Sequence, residues 1–389
     1  FWVVAIYDDE LDITVESTLM KEFTRGLSGV ILFSINLIRE LLLGGVKTFV
    51  AFTSWDFISE HEWARIPALP WPAVAAGTFL LGHYLGGRKL AILAGISTVY
   101  IAVFGQWTPA MQTLSFVLVT VPLSVFLGLT LGTIAFKNKT FESILAPLLN
   151  VAQSMPHFSY LIPVVVFFGI GDHAGAVSTV IFATPPMIRL TILGLKKVSP
   201  EVLDAGIMSG CNPRQMMFRV LIPTARHDIL IGVNQVIMQC LAMAVIASFI
   251  GAKGLGYDLL VSLNMLNIGQ ALELGVSIVL IAVVLDKLSL AWANKQIDYF
   301  ANLPFHWRHK YSLIFLGILI FTSVVAYVVT MVFPDKANYL YFIDESQGFT
   351  TEKFWDFIVD WIITNTYQSV QSFNFFMITS ILMPMKEAY

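Results

Sequence analysis

The stretch SPEVLDAGIMSGCNPRQMMFRVLIP, residues 199–223, interrupts a chain that is otherwise strongly hydrophobic. Ser199 is placed to cap a first short helix, with a proline in its first turn. Gly210 then favours a turn, Pro213 suits the first position of a second helix, and Pro223 is expected to end that helix. The pattern predicts a helical hairpin, which we call the polar hairpin (199–223), between two apolar segments.

The composition indicates that lipid is the solvent for most of the chain. Of its 389 residues, 57% are hydrophobic and 13% are charged, whereas a soluble domain carries about 25% charged residues. The mean hydropathy is +0.75. We therefore predict an all-α fold, a polytopic membrane helix bundle with amphipathic helices at its interface. The formal net charge of -3 says little, because the distribution of charge across the membrane matters more. No nucleic-acid partner is expected.

Apolar segments of sufficient length predict a series of membrane spans. The fourth segment contains Pro147, Pro156 and Pro163, so we expect a broken or kinked span. Its freed carbonyls need partners, which would place it in the protein interior rather than against lipid. The predicted spans are about 70–85, 89–105, 110–135, 142–170, 176–195, 227–250, 270–293 and 311–333.

The basic residues predict the orientation of these spans. Each span carries the chain to the opposite side of the membrane. This alternation places all four basic connections on one side, near 88–89, 137–139, 196–226 and 295–310. Positively charged loops lie predominantly in the cytoplasm. We therefore predict a multi-pass protein of the cell inner membrane, with the polar hairpin in the cytoplasm.

The two ends of the chain are less apolar than its centre. Arg39 and Glu40 would be costly inside a span, so residues 1–69 are expected to form amphipathic helices on the extracytoplasmic face. Residues 70–300 form the predicted membrane module, which contains the polar hairpin. Residues 301–389 are predicted to supply a linker, one more span and the start of a second module.

A weak internal repeat supports that second module. The segment YFIDESQGFTTEKFWDFIVDWIITN, from Tyr341, resembles IYDDELDITVESTLMKEF, from Ile6. Both place an acidic cluster before a Thr/Ser–Glu pair and an amphipathic stretch, which predicts a tandem of two modules within a longer polypeptide. An unrelated amphipathic tail is the alternative.

The polar hairpin resembles the coupling loop of ATP-binding-cassette (ABC) importer permeases. That loop has the pattern Glu-Ala-Ala, three residues, Gly, nine residues, Ile-x-Leu-Pro. Here Asp replaces the Glu, Gly replaces the second Ala, and Val and Ile stand in for the final Ile and Leu. The matching residues are Asp204, Ala205, Gly206, Gly210, Val220, Ile222 and Pro223. On physical grounds alone, an ordinary connecting loop is an equal alternative.

Flanking motifs resemble the permeases of glycine betaine/proline importers over about 106–295. They are NVAQSMPHFSYLIPVVVFFGIG from Asn150, IFATPPMIRLTILGLKKV from Ile181 and GVNQVIMQCLAMAVIASFIGAKGLG from Gly232. The resemblance implies a type I ABC importer permease fold. It also implies transport of small quaternary amines or zwitterions, such as glycine betaine, proline betaine, choline, carnitine or trimethylamine N-oxide.

The resemblance also implies which partners the chain has. No complete GxxxxGK[ST] pattern occurs, so we expect separate subunits to bind ATP and this chain not to be an enzyme. No cofactor or metal is expected in this chain. Cytoplasmic ABC ATPase subunits would use ATP and Mg²⁺. The other implied partners are an extracytoplasmic solute-binding protein, the lipid bilayer and a second permease module, fused or as a homodimer. The residues expected to contact the ATPase subunits are Glu201, Asp204, Ala205, Gly206, Gly210, Pro213, Arg214, Val220, Ile222 and Pro223.

Candidates for the substrate path lie near the proline-broken span and in the span after the hairpin. Phe158 and Tyr160 could hold a quaternary ammonium by cation–π attraction, although aromatic residues in spans more often serve packing. Gln153, Ser154, Asn234 and Gln239 could supply polar lining, but Asn234 and Gln239 could equally bond to neighbouring helices.

Two other functions remain open from the sequence. An ion-coupled secondary transporter would need carboxylates or unwound ion sites within the membrane. The carboxylates in the predicted spans lie near span ends: Glu142, Asp228, Glu273 and Asp286. A non-transporting membrane scaffold would explain the hydrophobicity but not the pattern of the polar hairpin.

Overall fold

Long apolar helices form the fold, and the predicted all-α class is confirmed. The computed structural model describes residues 14–44, 46–48, 64–66, 69–295, 310–332 and 349–383. Two short strands, Val46–Thr48 and Ala64–Ile66, pair antiparallel. The helices of eight or more residues are α1 (Thr14–Arg39), α2 (Trp71–Val103), α3 (Trp107–Lys137), α4 (Lys139–Ser154), α5 (Leu161–Phe168), α6 (Asp172–Lys196), α7 (Pro200–Met208), α8 (Arg226–Ile246), α9 (Leu255–Asn264), α10 (Ile268–Asn294), α11 (Lys310–Val332) and α12 (Glu352–Met377).

Within the described ranges, 6 helices are long and apolar enough to cross a membrane, or up to 7 if the bent pair α4–α5 forms one span. Helix α6 lies at the centre, since 72% of its most apolar window is buried. It packs most extensively against α3 and α8. A Cβ on Gly132 of α3 would lie 2.7 Å from the Thr191 Cβ of α6, so the glycine permits the close approach of the two helices.

Helix α2 is a hairpin of two antiparallel helical segments. The Thr78 and Thr98 hydroxyl oxygens lie 2.9 Å apart, although twenty residues of straight helix would separate them by about 30 Å. Gly87, with φ +75°, makes the turn. A Cβ on Gly82 would lie 2.8 Å from the Leu90 carbonyl oxygen, so the two segments are in close contact. The geometry agrees with the two spans predicted at 70–85 and 89–105.

The span predicted at 142–170 is broken. Helices α4 and α5 are separated by a 3-10 turn, His157–Tyr160, and the two halves are bent by 116°. The break follows Pro156, whereas Pro147 lies within α4 and Pro163 lies in the first turn of α5. The buried side chains of α4 are Leu145 and Leu149, and its opposite face is exposed. The expected interior position of this span stays a prediction.

The region before α2 differs from its prediction as interfacial helices. Helix α1 packs against α3, α5 and α6, and Lys21–Leu43 is long and apolar enough to cross a membrane. The free-energy cost of placing the Arg39 charge in a span is offset, because Arg39 lies in the last turn of α1 and pairs with Asp172 at 2.6 Å. The extracytoplasmic placement of 1–69 stays a prediction, and residues 1–13 lie outside the described ranges.

Asp172 provides a first test of this packing. Its carboxylate accepts from Arg39 and from the Lys253 amide, at 2.6 and 2.8 Å. We expect Asp172→Ala to lower the free energy of unfolding by about 2 kcal/mol, because both donors lose their acceptor. Asp172→Asn keeps an oxygen for the amide and should lose less. Thermal unfolding in detergent measures both variants, and melting temperatures equal to wild type would contradict this role.

The C-terminal segment docks on the end of the membrane module. The Phe349 amide donates to the Val103 carbonyl at 2.9 Å, and the Thr350 hydroxyl donates to the buried Glu273 carboxylate at 3.1 Å. Helix α12 follows and packs against α10. Helix α11 coincides with the span predicted at 311–333. The tandem module stays a prediction, and the repeat residues 341–348 lie outside the described ranges.

Candidate functional site

The first arm of the polar hairpin is helix α7, as predicted. Ser199 occupies the N-cap position, but its hydroxyl does not cap the backbone. The hydroxyl bonds instead to the Glu201 side chain, and this bond, followed by a bond to the backbone, holds the pKa of Glu201 below its ordinary value. The negative charge of Glu201 lies in the first turn, where the helix dipole favours it.

The turn between the two arms is a Schellman motif. The Gly210 amide donates to the Ile207 carbonyl at 2.9 Å, and the Cys211 amide donates to the Gly206 carbonyl at 3.1 Å. Gly210 has φ +72°, a left-handed conformation that glycine adopts without steric cost. The turn is therefore fixed by its own backbone bonds.

The second arm begins with a capping box and ends later than predicted. The Asn212 side chain accepts from the Gln215 amide, and the Gln215 side chain accepts from the Asn212 amide, at 2.8 and 3.0 Å. Helical Pro213–Gln215 leads into a π-helical turn, Met216–Leu221, and then helical Ile222–Thr224. Pro223 was expected to end the arm, and this is wrong. The wider turn before Pro223 accommodates its ring and its missing amide hydrogen.

The capping box should control local opening of this arm. Asn212→Ala is expected to lower the free energy of local opening of the second arm by about 1 kcal/mol. This corresponds to roughly fivefold faster hydrogen exchange of the first backbone amides of that arm. Ser209→Ala is the matched control, since that exposed hydroxyl bonds within the first arm at the Ala205 carbonyl. Unchanged exchange in Asn212→Ala would contradict the capping role.

Most predicted contact residues of the hairpin are exposed, but Gly206 is buried. A Cβ on Gly206 would lie 2.8 Å from the Met216 Cε, so this glycine permits packing between the two arms. Its expected contact with the ATPase subunits stays a prediction. Val220 and Ile222 are half-buried. The exposed members are Glu201, Asp204, Ala205, Gly210, Pro213, Arg214 and Pro223.

The inner side of the hairpin is fixed to the helix bundle. Met217 and Leu221 are buried in one apolar cluster with Leu195 of α6 and Leu230 of α8. Lys197, just after α6, pairs with Asp228 of α8 at 2.8 Å. Because the arms pack on both helices, a displacement of the hairpin would move α6 and α8 with it.

The polar hairpin exposes three large apolar side chains that the sequence analysis did not single out. Ile207, Met208 and Phe218 are 64%, 90% and 66% exposed, and we call these three residues the outer patch. Large apolar side chains that are exposed on a polar element are candidates for a contact with another protein. The available signal was the apolar residue type within an otherwise polar segment.

The first group of predicted path residues gathers at the break between α4 and α5. Gln153, Ser154 and Phe158 are exposed, whereas Tyr160 is buried and donates its hydroxyl to the Ala152 carbonyl. Aromatic rings at the break pair with Phe182 of α6 and with Phe249 of the 3-10 turn Ala247–Ile250. The ring centroids of Phe158 and Phe249 are 5.3 Å apart, those of Tyr160 and Phe182 are 5.4 Å apart, and those of His157 and Phe182 are 4.4 Å apart.

The other predicted path residues, Asn234 and Gln239, both lie on α8 but have different surroundings. The Asn234 side-chain nitrogen donates to the Asp286 carboxylate of α10 at 3.2 Å, and the Asn234 side-chain oxygen accepts from the Ser289 hydroxyl. Asn234 thus bonds to a neighbouring helix, which was the alternative to a path role in the sequence analysis. The buried Oε1 of Gln239 has no hydrogen-bond partner among the described residues, so Gln239 stays a candidate for the path. Within the described ranges, no three His, Cys, Asp or Glu side chains are grouped to hold a metal ion.

Comparison with known proteins gives one family and several relatives. The pattern of the family described as binding-protein-dependent transport system inner membrane component matches residues 124–299. The trimethylamine N-oxide transport system permease protein TmoV of Pelagibacter ubique is 53% identical, over 95% of this chain and 52% of that protein. The chain thus spans about half the length of the TmoV proteins that it matches.

Two shorter relatives are covered more completely. The glycine betaine/proline betaine permease ProW of Escherichia coli is 40% identical, over 63% of this chain and 76% of that protein. The glycine betaine/carnitine permease GbuB of Listeria monocytogenes is 37% identical, over 67% of this chain and 89% of that protein. The inward-facing MetNI methionine ABC transporter has a similar chain, with a TM-score of 0.41 and 18% identity over 57% of this chain and 97% of that one.

Proposed function

Because this multi-pass membrane chain belongs to the inner-membrane components of binding-protein-dependent transport systems, we propose that it is the permease of an ATP-driven importer. Its substrates are small quaternary amines or zwitterions. The relatives are named for trimethylamine N-oxide, glycine betaine, proline betaine, carnitine and choline, and this chain takes a substrate of that class.

The polar hairpin is the observation that carries the proposal. It combines a rigid turn, an inner side packed on α6 and α8, and the exposed outer patch. An ATPase subunit that binds the outer patch transmits its motion to two central helices, because a stiff element passes on displacement that a flexible loop would absorb. An ion-coupled transporter or a scaffold has no need for this element.

The proposed importer requires partners for its energy and its substrate. Cytoplasmic ABC ATPase subunits bind ATP and Mg²⁺, and a solute-binding protein delivers substrate from the other side of the inner membrane. A second permease module, fused or as a second copy, completes the path. The break between α4 and α5 lies on this path, where the Phe158 and Phe249 rings can contact methylated ammonium groups by cation–π attraction.

Site-directed cross-linking tests the docking of the ATPase. A cysteine at Met208, which is 90% exposed, is introduced after Cys211 is replaced by serine. We expect this cysteine to cross-link to the ATPase subunit in the assembled transporter. A cysteine at Met265, which is 75% exposed and lies in the connection between α9 and α10, is the matched control. Equal cross-linking at both positions, or at neither, would reject docking at the polar hairpin.

A further inference from the structure

Three side-chain contacts follow one another along the line where α4 and α6 pack together, which we call the seam. Lys196 pairs with Glu142 at 2.5 Å, Arg189 donates to the Asn150 side chain, and the Phe182 ring packs at a tilt against the His157 ring beyond the end of α4. The α6 members are spaced by seven residues and so lie on one face of that helix, about 10 Å apart along its axis. The seam therefore connects the aromatic break with the basic end of the bundle.

An open groove of about 260 Å³ follows this seam. Its floor is apolar and includes Leu145, Leu149 and Ile192, while Asn150 and Arg189 lie towards the aromatic break, and Glu142 and Lys196 lie at the other end. The groove combines an apolar floor with a few convergent polar groups, which is the usual composition of a site for a small molecule.

Arg189 carries a charge that the described residues do not neutralise. Its guanidinium donates a hydrogen bond to the neutral Asn150 side chain. No carboxylate among the described residues forms an ion pair with it. The residue is exposed and lies about 10 Å from Lys196 along the apolar helix α6. A guanidinium on a membrane-spanning helix is costly against hydrocarbon, and such residues usually face a water-filled cavity or path.

We propose that Arg189, positioned by Asn150, binds the anionic oxygen of the transported zwitterion in the groove between α4 and α6. The proposal deepens the proposed function and rests on it. Trimethylamine N-oxide, the betaines and carnitine each combine a methylated, positively charged nitrogen with an anionic oxygen. A guanidinium presents several N–H donors to such an oxygen in a fixed planar arrangement.

The two parts of the substrate are thus recognised at successive places. The exposed Phe158 ring, at the aromatic break where the Phe182 and His157 rings pack together, contacts the methylated nitrogen by cation–π attraction. Arg189 lies about 10 Å further along α6, too far to form one pocket with Phe182 for so small a molecule. The substrate therefore passes from the aromatic break to the groove, where its anionic oxygen meets the uncompensated charge.

Uptake of trimethylamine N-oxide by the reconstituted full-length transporter tests the proposal. We expect Arg189→Gln to lower the initial rate about tenfold or more, the ratio that one lost charge-assisted hydrogen bond would produce. Asn150→Ala keeps the guanidinium and should lower the rate by only about threefold. Lys137→Gln removes the same charge from the exposed end of α3, outside the groove, and should match wild type.

Three outcomes would overturn the proposal. Equal uptake by Arg189→Gln and Lys137→Gln would show that the charge is not used. Equal losses in Arg189→Gln and Asn150→Ala would show that the bond between the helices matters and the free charge does not. If Arg189→Gln fails to co-purify with the ATPase subunits, Arg189→Lys replaces it, and wild-type uptake by that variant would contradict recognition by the planar guanidinium. Wild-type uptake without ATP would instead reject the proposed function itself.

Discussion

Gly210→Val is expected to abolish ATP-driven uptake and to weaken binding of the ATPase subunits by at least about tenfold. Gly210 has φ +72°, and a β-branched residue pays roughly 1–2 kcal/mol or more to adopt this left-handed conformation. A Cβ at this position meets no atom within 4 Å, so the effect comes from the backbone. The two arms should separate, and the outer patch loses its arrangement. Co-purification with the ATPase subunits measures the loss.

Gly275→Val is the matched control for that experiment. Gly275 lies within helix α10, and a Cβ there also meets no atom within 4 Å, but its φ is not in the left-handed region. The same change of side chain should leave ATPase binding intact. Wild-type binding by Gly210→Val, or equal losses in both variants, would contradict the role of the turn.

Phe218→Asp is expected to weaken ATPase binding by roughly thirtyfold, the loss of one interface residue worth about 2 kcal/mol. The Phe218 side chain is 66% exposed beside Met217, which is buried in the bundle. The substitution therefore leaves the packing of the hairpin unchanged and places a charge in the proposed interface, where desolvation disfavours it. Titration of the purified full-length permease with the ATPase subunits gives the affinity.

Met265→Asp makes the same kind of change on a surface that is not expected to bind the ATPase. Met265 is 75% exposed in the connection between α9 and α10. Its variant should bind the ATPase subunits as wild type does. If Phe218→Asp also binds with wild-type affinity, the outer patch is not the docking surface.

The sequence predicted the features that depend on local backbone chemistry. Gly210 indicated the turn of the hairpin, and the prolines around Pro156 indicated the break in the span, because each restricts the backbone whatever surrounds it. The apolar runs likewise predicted the helices of the bundle. The pattern from Asp204 to Pro223 gave the family resemblance, and the match over 124–299 confirms it.

Features that depend on tertiary packing were not predictable from the sequence. Gly206 packs against the other arm of the hairpin, which could be known only from how the two arms fold together. Arg39 argued against a span until its pairing with Asp172 was visible. The seam at Arg189 combines residues 39 positions apart in the chain, and no local pattern joins them.

Uptake of trimethylamine N-oxide into proteoliposomes tests the central claim most directly. The full-length permease is reconstituted with its solute-binding protein, with and without the ATPase subunits and ATP. If the chain is an importer permease driven through its polar hairpin, uptake requires both the ATPase subunits and hydrolysable ATP, and Gly210→Val removes it. Uptake that persists without any ATPase subunit would contradict the account.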